Sequence, residues 1–419
     1  MPLRVFSCPR QTRRSNPWAA SALAVALIAA AACSEDAASP TGPAPAPEVT
    51  AAATAPLSFT QVSSGGWHTC AIATDQRAYC WGLNTDGQLG IGSTVNRSRP
   101  TLVARGLRFF QISASDLHTC GQTTDNLVYC WGNNEFGQLG INSHTRRVRP
   151  VPVKGGRSFV HVNTGAFYSC ALTSTYLAFC WGSNSQGQLG DGTTTDRLIP
   201  VAVGGGHQFH RLVAGGAHTC AVNLESAGYC WGDNGFFKLG DGSSVAMRVL
   251  PSPIAGGISF QQVTAGNGHT CGVATDNTAY CWGLNDDGQL GDGTLTRRQT
   301  PQPVAGGVGF RQTVAAATHT CGVSSASSVA QCWGDNFAGR LGDGTETDRT
   351  VPTALATSVT FSGVSPGTSH GCGVTTQNRI YCWGHNAFGQ LGLGTTAGPQ
   401  TCQGGIKCST RPREVVAPS

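Results

Sequence analysis

HTCAIATDQRAYCWGLNTDGQLG, His68 to Gly90, is the stretch on which the fold turns. Cys70 and Cys80 sit ten apart in it, with Thr74-Asp75-Gln76 near their midpoint. Three chemistries use cysteine pairs: metal binding, redox exchange, and stapling of a hairpin. The stretch recurs seven times, so one answer must serve seven copies. The tryptophan after the second cysteine marks the period: Trp81, Trp131, Trp181, Trp231, Trp282, Trp333 and Trp383, spaced by 50 or 51 residues. A fixed period of this size means one supersecondary unit stacked on itself.

Each unit reads alike. Phe-x-x-Val (Phe59 to Val62, for example) leads into a Gly-rich turn and His-Thr-Cys. A short apolar alternation, a turn and Tyr-Cys-Trp-Gly follow. Then come Asn, Gly-Gln-Leu-Gly, a polar loop and a closing Pro-x-x-Val such as Pro200 to Val203. The apolar patches are short, alternate with period two, and are bounded by Gly, Pro, Asn and Asp. That pattern predicts about four strands per repeat and no long helix. Seven four-stranded sheets arranged radially make an all-β, seven-bladed β-propeller, which solves the problem of exposed sheet edges by closing a ring. The C-terminal Arg411-Pro-Arg-Glu-Val-Val416 looks like a spare closing segment. We expect this last strand to complete the first blade.

The repeated Trp-Gly-x-Asn-x-x-Gly-(Gln/Lys/Arg)-Leu-Gly resembles the RCC1 (regulator of chromosome condensation) repeat. The likeness covers residues 57–416; blade four departs at Asn234-Gly-Phe-Phe-Lys238 and blade six has Arg340 for Gln. The resemblance implies a seven-bladed propeller. Relatives of this kind act as exchange factors for a small GTPase, as ubiquitin-ligase subunits and as a secreted β-lactamase inhibitor.

The cysteines fall into pairs: Cys70 with Cys80, Cys120 with Cys130, Cys170 with Cys180, Cys220 with Cys230, Cys271 with Cys281, Cys321 with Cys332, and Cys372 with Cys382. An eighth pair, Cys402 with Cys408, lies in the final loop. Structural zinc sites want ligands two to four residues apart and redox motifs want Cys-x-x-Cys. Two residues placed symmetrically about a hairpin turn face each other across adjacent strands, where a disulfide fits. Disulfides are expected, and the extra residue between Cys321 and Cys332 predicts a bulge or longer turn.

Residues 1–32 look like an export signal: four arginines precede residue 15, and Ala19 to Ala32 is an unbroken small and apolar run, too short for an ordinary span. Small residues directly before Cys33 resemble a bacterial lipoprotein cleavage site, with Ala30 where a large aliphatic residue is usual. Cys33 is then the lipid-bearing N-terminus of an envelope protein; ordinary cleavage and free secretion is the alternative. Residues 33–56 read as an Ala/Pro-rich linker and 57–419 as the propeller. From residue 33 onward 23 basic residues face 22 acidic ones, which gives no bulk attraction to nucleic acid.

Residues common to all blades are best explained by architecture. The asparagines (Asn84 and its six equivalents) suit turns, the tryptophans suit the space between blades, and the histidines (His68, His118, His218, His269, His319, His370; Tyr168 in blade three) suit a hydrogen bond within the blade. Six histidines spread around a ring make no metal cluster. The Gly-Asp-Gly-Thr runs lack the alternating acids of a calcium loop. No nucleophile elbow, phosphate loop or dinucleotide motif is present, so neither cofactor nor catalytic residue is expected.

Function should lie where blades differ. Trp67, Leu117 and Phe167 precede the histidine column, and Phe136, Phe236, Phe337 and Phe388 follow the asparagine column. Together they form a candidate binding face. The expectation is a monomeric, exported, non-catalytic scaffold for a protein or surface ligand, touching membrane only through its lipid. The alternative is an envelope enzyme, for example one acting on carbohydrate with carboxylates gathered on one face.

Overall fold

The computed structural model describes residues 57–418 apart from residue 105. The segments expected to be an export signal and a linker, with Cys33, lie outside the described residues. The rest is seven radial antiparallel sheets. Blade one takes β1 (Phe59–Ser64), β2 (His68–Ala73), β3 (Ala78–Gly82) and β4 (Arg97–Leu102), hydrogen-bonded in that order. The Phe-x-x-Val strands are innermost and contact one another around the axis, including β1 with the strand Phe361–Pro366 of blade seven. Because the strands alternate in direction, turn 65–67 and loop 83–96 share one end of the ring, called here the loop face. Turns such as 74–77 share the other, the hairpin face.

The C-terminal strand corrects one expectation. Ile406–Glu414 pairs with Ile380–His385 and is the outer strand of blade seven, with Gln400–Cys402 added beyond it. Blade one draws all its strands from residues 59–102, so no strand is exchanged across the seam. Each Pro-x-x-Val segment belongs to the blade it ends. C-terminal residues still help close the ring from outside, because Val415 packs on the seam cluster that contains Phe59, Trp81 and Leu391.

The cores sit between blades. Trp131 of blade two packs with Cys70, Ile72 and Leu89 of blade one, and all seven repeat tryptophans are fully buried. Gly90 is glycine for this reason: its φ is +68°, and a Cβ there would stand 2.7 Å from Trp131 Nε1. A polar relay accompanies this packing. Trp131 Nε1 and Thr119 Oγ1 both donate to the Gln88 carbonyl, each at 2.9 Å. The Thr119 proton is therefore committed, and His68 Nε2, 2.8 Å away, must be the donor to its oxygen. The same set closes the seam: His370 to Thr69 at 2.7 Å, and Thr69 and Trp81 to the Gln390 carbonyl.

The histidine bond thus runs between blades, not within one as expected. Tyr168 also reaches across, donating to the His218 carbonyl. Only His319 among the six has no partner for Nε2, because Gly371 replaces the hydroxyl residue in blade seven. Burial holds His68, His118, His269 and His370 neutral, with pKa values lowered to about 3.

Seven disulfides recur with the repeat. They join Cys70 to Cys80, Cys120 to Cys130, Cys170 to Cys180, Cys220 to Cys230, Cys271 to Cys281, Cys321 to Cys332, and Cys372 to Cys382. Each links directly opposed residues of the two middle strands of a blade, with Cα atoms 4.1 Å apart. In blade six the extra residue lengthens the turn, and Cys321 still faces Cys332. The eighth disulfide is of another kind. Cys402 ends the added edge strand and Cys408 lies on the outer strand of blade seven, with Cα atoms 6.0 Å apart, so it clips the final loop rather than a middle hairpin. Among the described residues no helix is long and apolar enough to cross a membrane.

Candidate functional site: the two faces of the ring

On the loop face, each asparagine pins its own loop. Asn84 Oδ1 accepts from Leu89 N, and its amide donates to the carbonyls of Ser93 and Val95. The turn role holds through the side chain, and none of these asparagines has positive φ. In five blades the buried Gln also accepts a loop N–H, as Gln88 does from Asp86. Lys238 and Arg340 replace that Gln in blades four and six, and a cation accepts nothing. There an aspartate five residues earlier takes over. Asp233 accepts from Gly235 N and pairs with Lys238 at 2.5 Å. Asp335 accepts from Phe337 N and pairs with Arg340 at 2.9 Å.

These two loops tighten into short 3₁₀ turns with Phe236 at φ 65° and Ala338 at φ 58°. Phe236 and Phe337 are turned outward, 46% and 44% exposed, with the Arg297 and Arg340 guanidiniums near their rings. The other candidate aromatics meet in pairs across blade junctions. Trp67 contacts Phe388 at 5.6 Å between ring centroids, and Phe136 contacts Phe167 at 5.3 Å. Leu117 is partly buried. The seven residues are thus spread as two aromatic pairs, two separate phenylalanines and the partly buried Leu117.

The axis narrows at this face to a 170 Å³ hollow lined by small residues and Asp116. Turns from successive blades touch there: a Cβ on Gly367 would lie 2.1 Å from the Gly65 carbonyl oxygen. Asp116 accepts from Thr368 Oγ1 at 3.0 Å, and burial raises its pKa. Its carboxylate is the only one among the residues lining the three axial hollows. Away from the axis, Asp287, Asp335 and Asp348 surround Arg340, and Asp286 beside them pairs with Arg297. Burial first, and then its acidic neighbours, raise the pKa of Asp287. Further in along the axis, the Gln61 amide bonds both N–H and C=O of Ile112, and Gln312 does the same to Val364, so these polar groups are consumed by ring closure.

The hairpin face opens more widely. A 710 Å³ hollow lies across blades one to four, lined by Phe110, Val160, Tyr176, His210 and Arg211 among others, and no carboxylate lines it. Phe110 is 72% exposed and Tyr176 44%. Burial lowers the pKa of His210, with Arg211 adding to the effect, so Arg211 is the fixed positive charge here. His161 lies deeper, bonded to the Leu212 carbonyl at 3.0 Å, and burial keeps it neutral. This hollow suits a ligand with an apolar or aromatic body and an acidic group.

The family model described as the Regulator of chromosome condensation (RCC1) repeat matches residues 75–121, 125–172, 177–222, 229–273, 276–323 and 377–419. The chain belongs to the RCC1-repeat family. A second RCC1-repeat model matches at five places, the first at residues 59–88. No curated protein sequence matches the chain. Among solved structures it is similar to human WBSCR16, at 20% identity over 76% of this chain and 87% of that one, with a TM-score of 0.70. It is also similar to yeast RCC1 (Prp20), crystallised bound to Kap60, at 22% identity over 74% and 78%, with a TM-score of 0.66. The ectodomain of the Physcomitrella patens receptor kinase CR4 aligns at 22% identity over 78% and 73%, with a TM-score of 0.52. At these identities the likeness is one of fold.

Within the RCC1 frame, Phe110, Tyr176 and Arg211 are the residues sequence reasoning passed over. The signal was present. Phe110 and Arg211 sit in columns of the inner strand that vary from blade to blade (Thr60, Phe110, Val160, His210; Gln61, Gln111, His161, Arg211). The turns before and after the cysteines vary more conspicuously and mask these columns.

Proposed function

We propose that this protein is an exported, non-catalytic RCC1-repeat scaffold that binds a protein or surface ligand at the cell envelope. Phe110 carries the reading: a phenylalanine 72% exposed at the rim of a hollow, beside Tyr176 and Arg211, which makes no ion pair among the described residues. Exposed aromatics and arginine around a concavity are the usual anchors of an interface. Eight disulfides support export to an oxidising compartment. The basic start, the apolar run and Cys33 support a lipid anchor. A hydrolase using two carboxylates would need a free facing pair; the axial hollows offer Asp116 alone, and of the three acids lining the hollow beside Phe337, Asp335 is paired with Arg340, Glu346 accepts from Gln403 N and Asp348 accepts from Asn336 N.

Capture from envelope extracts tests the reading. Wild type, Phe110→Ala/Tyr176→Ala and Trp67→Ala/Phe167→Ala are compared as bait. Loss of the partner with the first variant alone supports the hairpin face. Loss with the second alone moves the site to the loop face, and no specific partner from any bait removes the scaffold reading. Mass spectrometry of the N-terminus, with and without Cys33→Ser, decides the anchor.

A further inference from the structure

We propose that the outer rim of blades seven, one and two docks onto an anionic lipid bilayer. The observation comes from comparing outer strands in register. Arg97, Arg147, Arg197, Arg248, Arg298 and Arg349 all pair opposite the glycine after tryptophan. In blades three to six that arginine is neutralised locally by Asp191, Asp241, Asp292 or Asp343, at 2.7 to 3.0 Å. In blades one, two and seven the aspartate is replaced by Ile91, Ile141 and Leu393. Among the described residues, no carboxylate then lies within ion-pair distance of Arg97 or Arg147.

Two residues further along the strand blades one and two gain a second cation, and blade seven, with Ser409 at the first position, gains its own. Arg99, Arg149 and Arg411 are exposed there, where blades three to six have Ile199, Leu250, Thr300 and Val351. Arg146 and Arg413 add to the row. The consequence is segregation of charge. Residues 57–153 and 357–418 hold twelve basic and six acidic side chains, whereas 154–356 hold eleven and thirteen. A near-zero total hides a basic arc spanning three adjacent blades.

A row that broad suits an extended anionic surface better than a small anion. Two observations favour lipid over a soluble polymer. Val95 and Leu102, both on blade one, stand exposed among the cations, which suits a headgroup layer with apolar depth beneath it. The propeller chain also begins in blade one, the middle one of these three blades, 24 residues after Cys33. If Cys33 carries lipid, as proposed above, one acyl-type anchor plus a basic patch is the two-signal arrangement that gives stable attachment.

The test uses oxidised residues 57–419, which carry every blade and every inter-blade core, without signal, linker or lipid. Co-sedimentation is measured with vesicles of phosphatidylcholine alone and of phosphatidylcholine mixed with phosphatidylglycerol, at low and at physiological salt. Binding is expected to the mixed vesicles only and to weaken with salt. Arg99→Ser/Arg149→Ser/Arg411→Ser should lose roughly a hundredfold, from ~1 kcal/mol per basic side chain near the surface. A control losing two exposed cations in blades three and five, Arg157→Ser/Arg297→Ser, should bind as wild type, and both variants should keep the wild-type melting temperature. Equal binding to neutral vesicles, equal loss in both variants, or binding to heparin or DNA without vesicle binding would overturn the proposal. An unlipidated Cys33 would sink the anchor and leave this measurement intact.

Discussion

His68 Nε2 donates at 2.8 Å to the hydroxyl of Thr119 in the next blade, and Thr119 passes its own proton to the Gln88 carbonyl of the first. The junction is thus held by a polar chain that starts and ends in one blade and turns in the other. Its acid end follows from burial. His68, His118, His269 and His370 titrate near 3 when folded and near 6.5 when unfolded. Between those values the unfolded chain binds more protons, so stability rises with pH in that window and is complete above it. Each histidine contributes a slope of at most about 1.4 kcal/mol per pH unit. The melting temperature should be flat above neutrality and fall steadily below about pH 6. Thr119→Val should cost about 1–3 kcal/mol in denaturant titrations, since it leaves both the histidine donor and one bond to the carbonyl unmet.

Each repeat cystine closes a short loop between neighbouring strands. In the chain-entropy account a loop of this size is worth roughly 2.5–3 kcal/mol. Cys120→Ser/Cys130→Ser should therefore lower unfolding free energy by about that amount, and reduction of the whole set should lower the melting temperature far more. Mass measurement without reduction should find all sixteen propeller cysteines oxidised. Free thiols at these positions in exported protein would refute the pairing.

Lys238 is nearly inaccessible, with Asp233 as its partner. Asp233→Ala strands a buried cation and should destabilise by about 3 kcal/mol. Blade five shows the repair: it has Leu284 and Gln289 at the same two positions. Asp233→Leu/Lys238→Gln should recover most of the loss, and a double-mutant cycle measured by thermal denaturation checks it. No recovery would mean that the strained Phe236 loop, not the ion pair, sets the energetics.

Much of this was legible in the chain. Period, strand count, cystine pairing and the buried tryptophans follow from residues repeated in register, since a side chain present in every blade must do a job every blade has. Phase did not follow. A repeat states its length but not where one sheet ends, so Arg411 to Val416 looked like a spare strand although it closes blade seven. Nor did the direction of the histidine bond, because His68 and Thr119 are 51 residues apart and meet only once blades stack. The candidate aromatics were recognised as variable, but which were satisfied by neighbours depended on packing: Phe388 is taken up by Trp67, and Phe236 is not. Arg97 and Arg147 were hidden by the net charge, which averages over the whole ring.

Every cystine among the described residues lies inside one blade, and no disulfide crosses a junction; the main chain alone links neighbouring blades, and at the seam between blades seven and one not even that. Mechanically the ring is seven riveted petals held by unriveted seams. Under tension or proteolytic attack in an oxidising medium it should part between petals long before any petal frays. A nicked ring would then persist as a string of compact, clipped sheets.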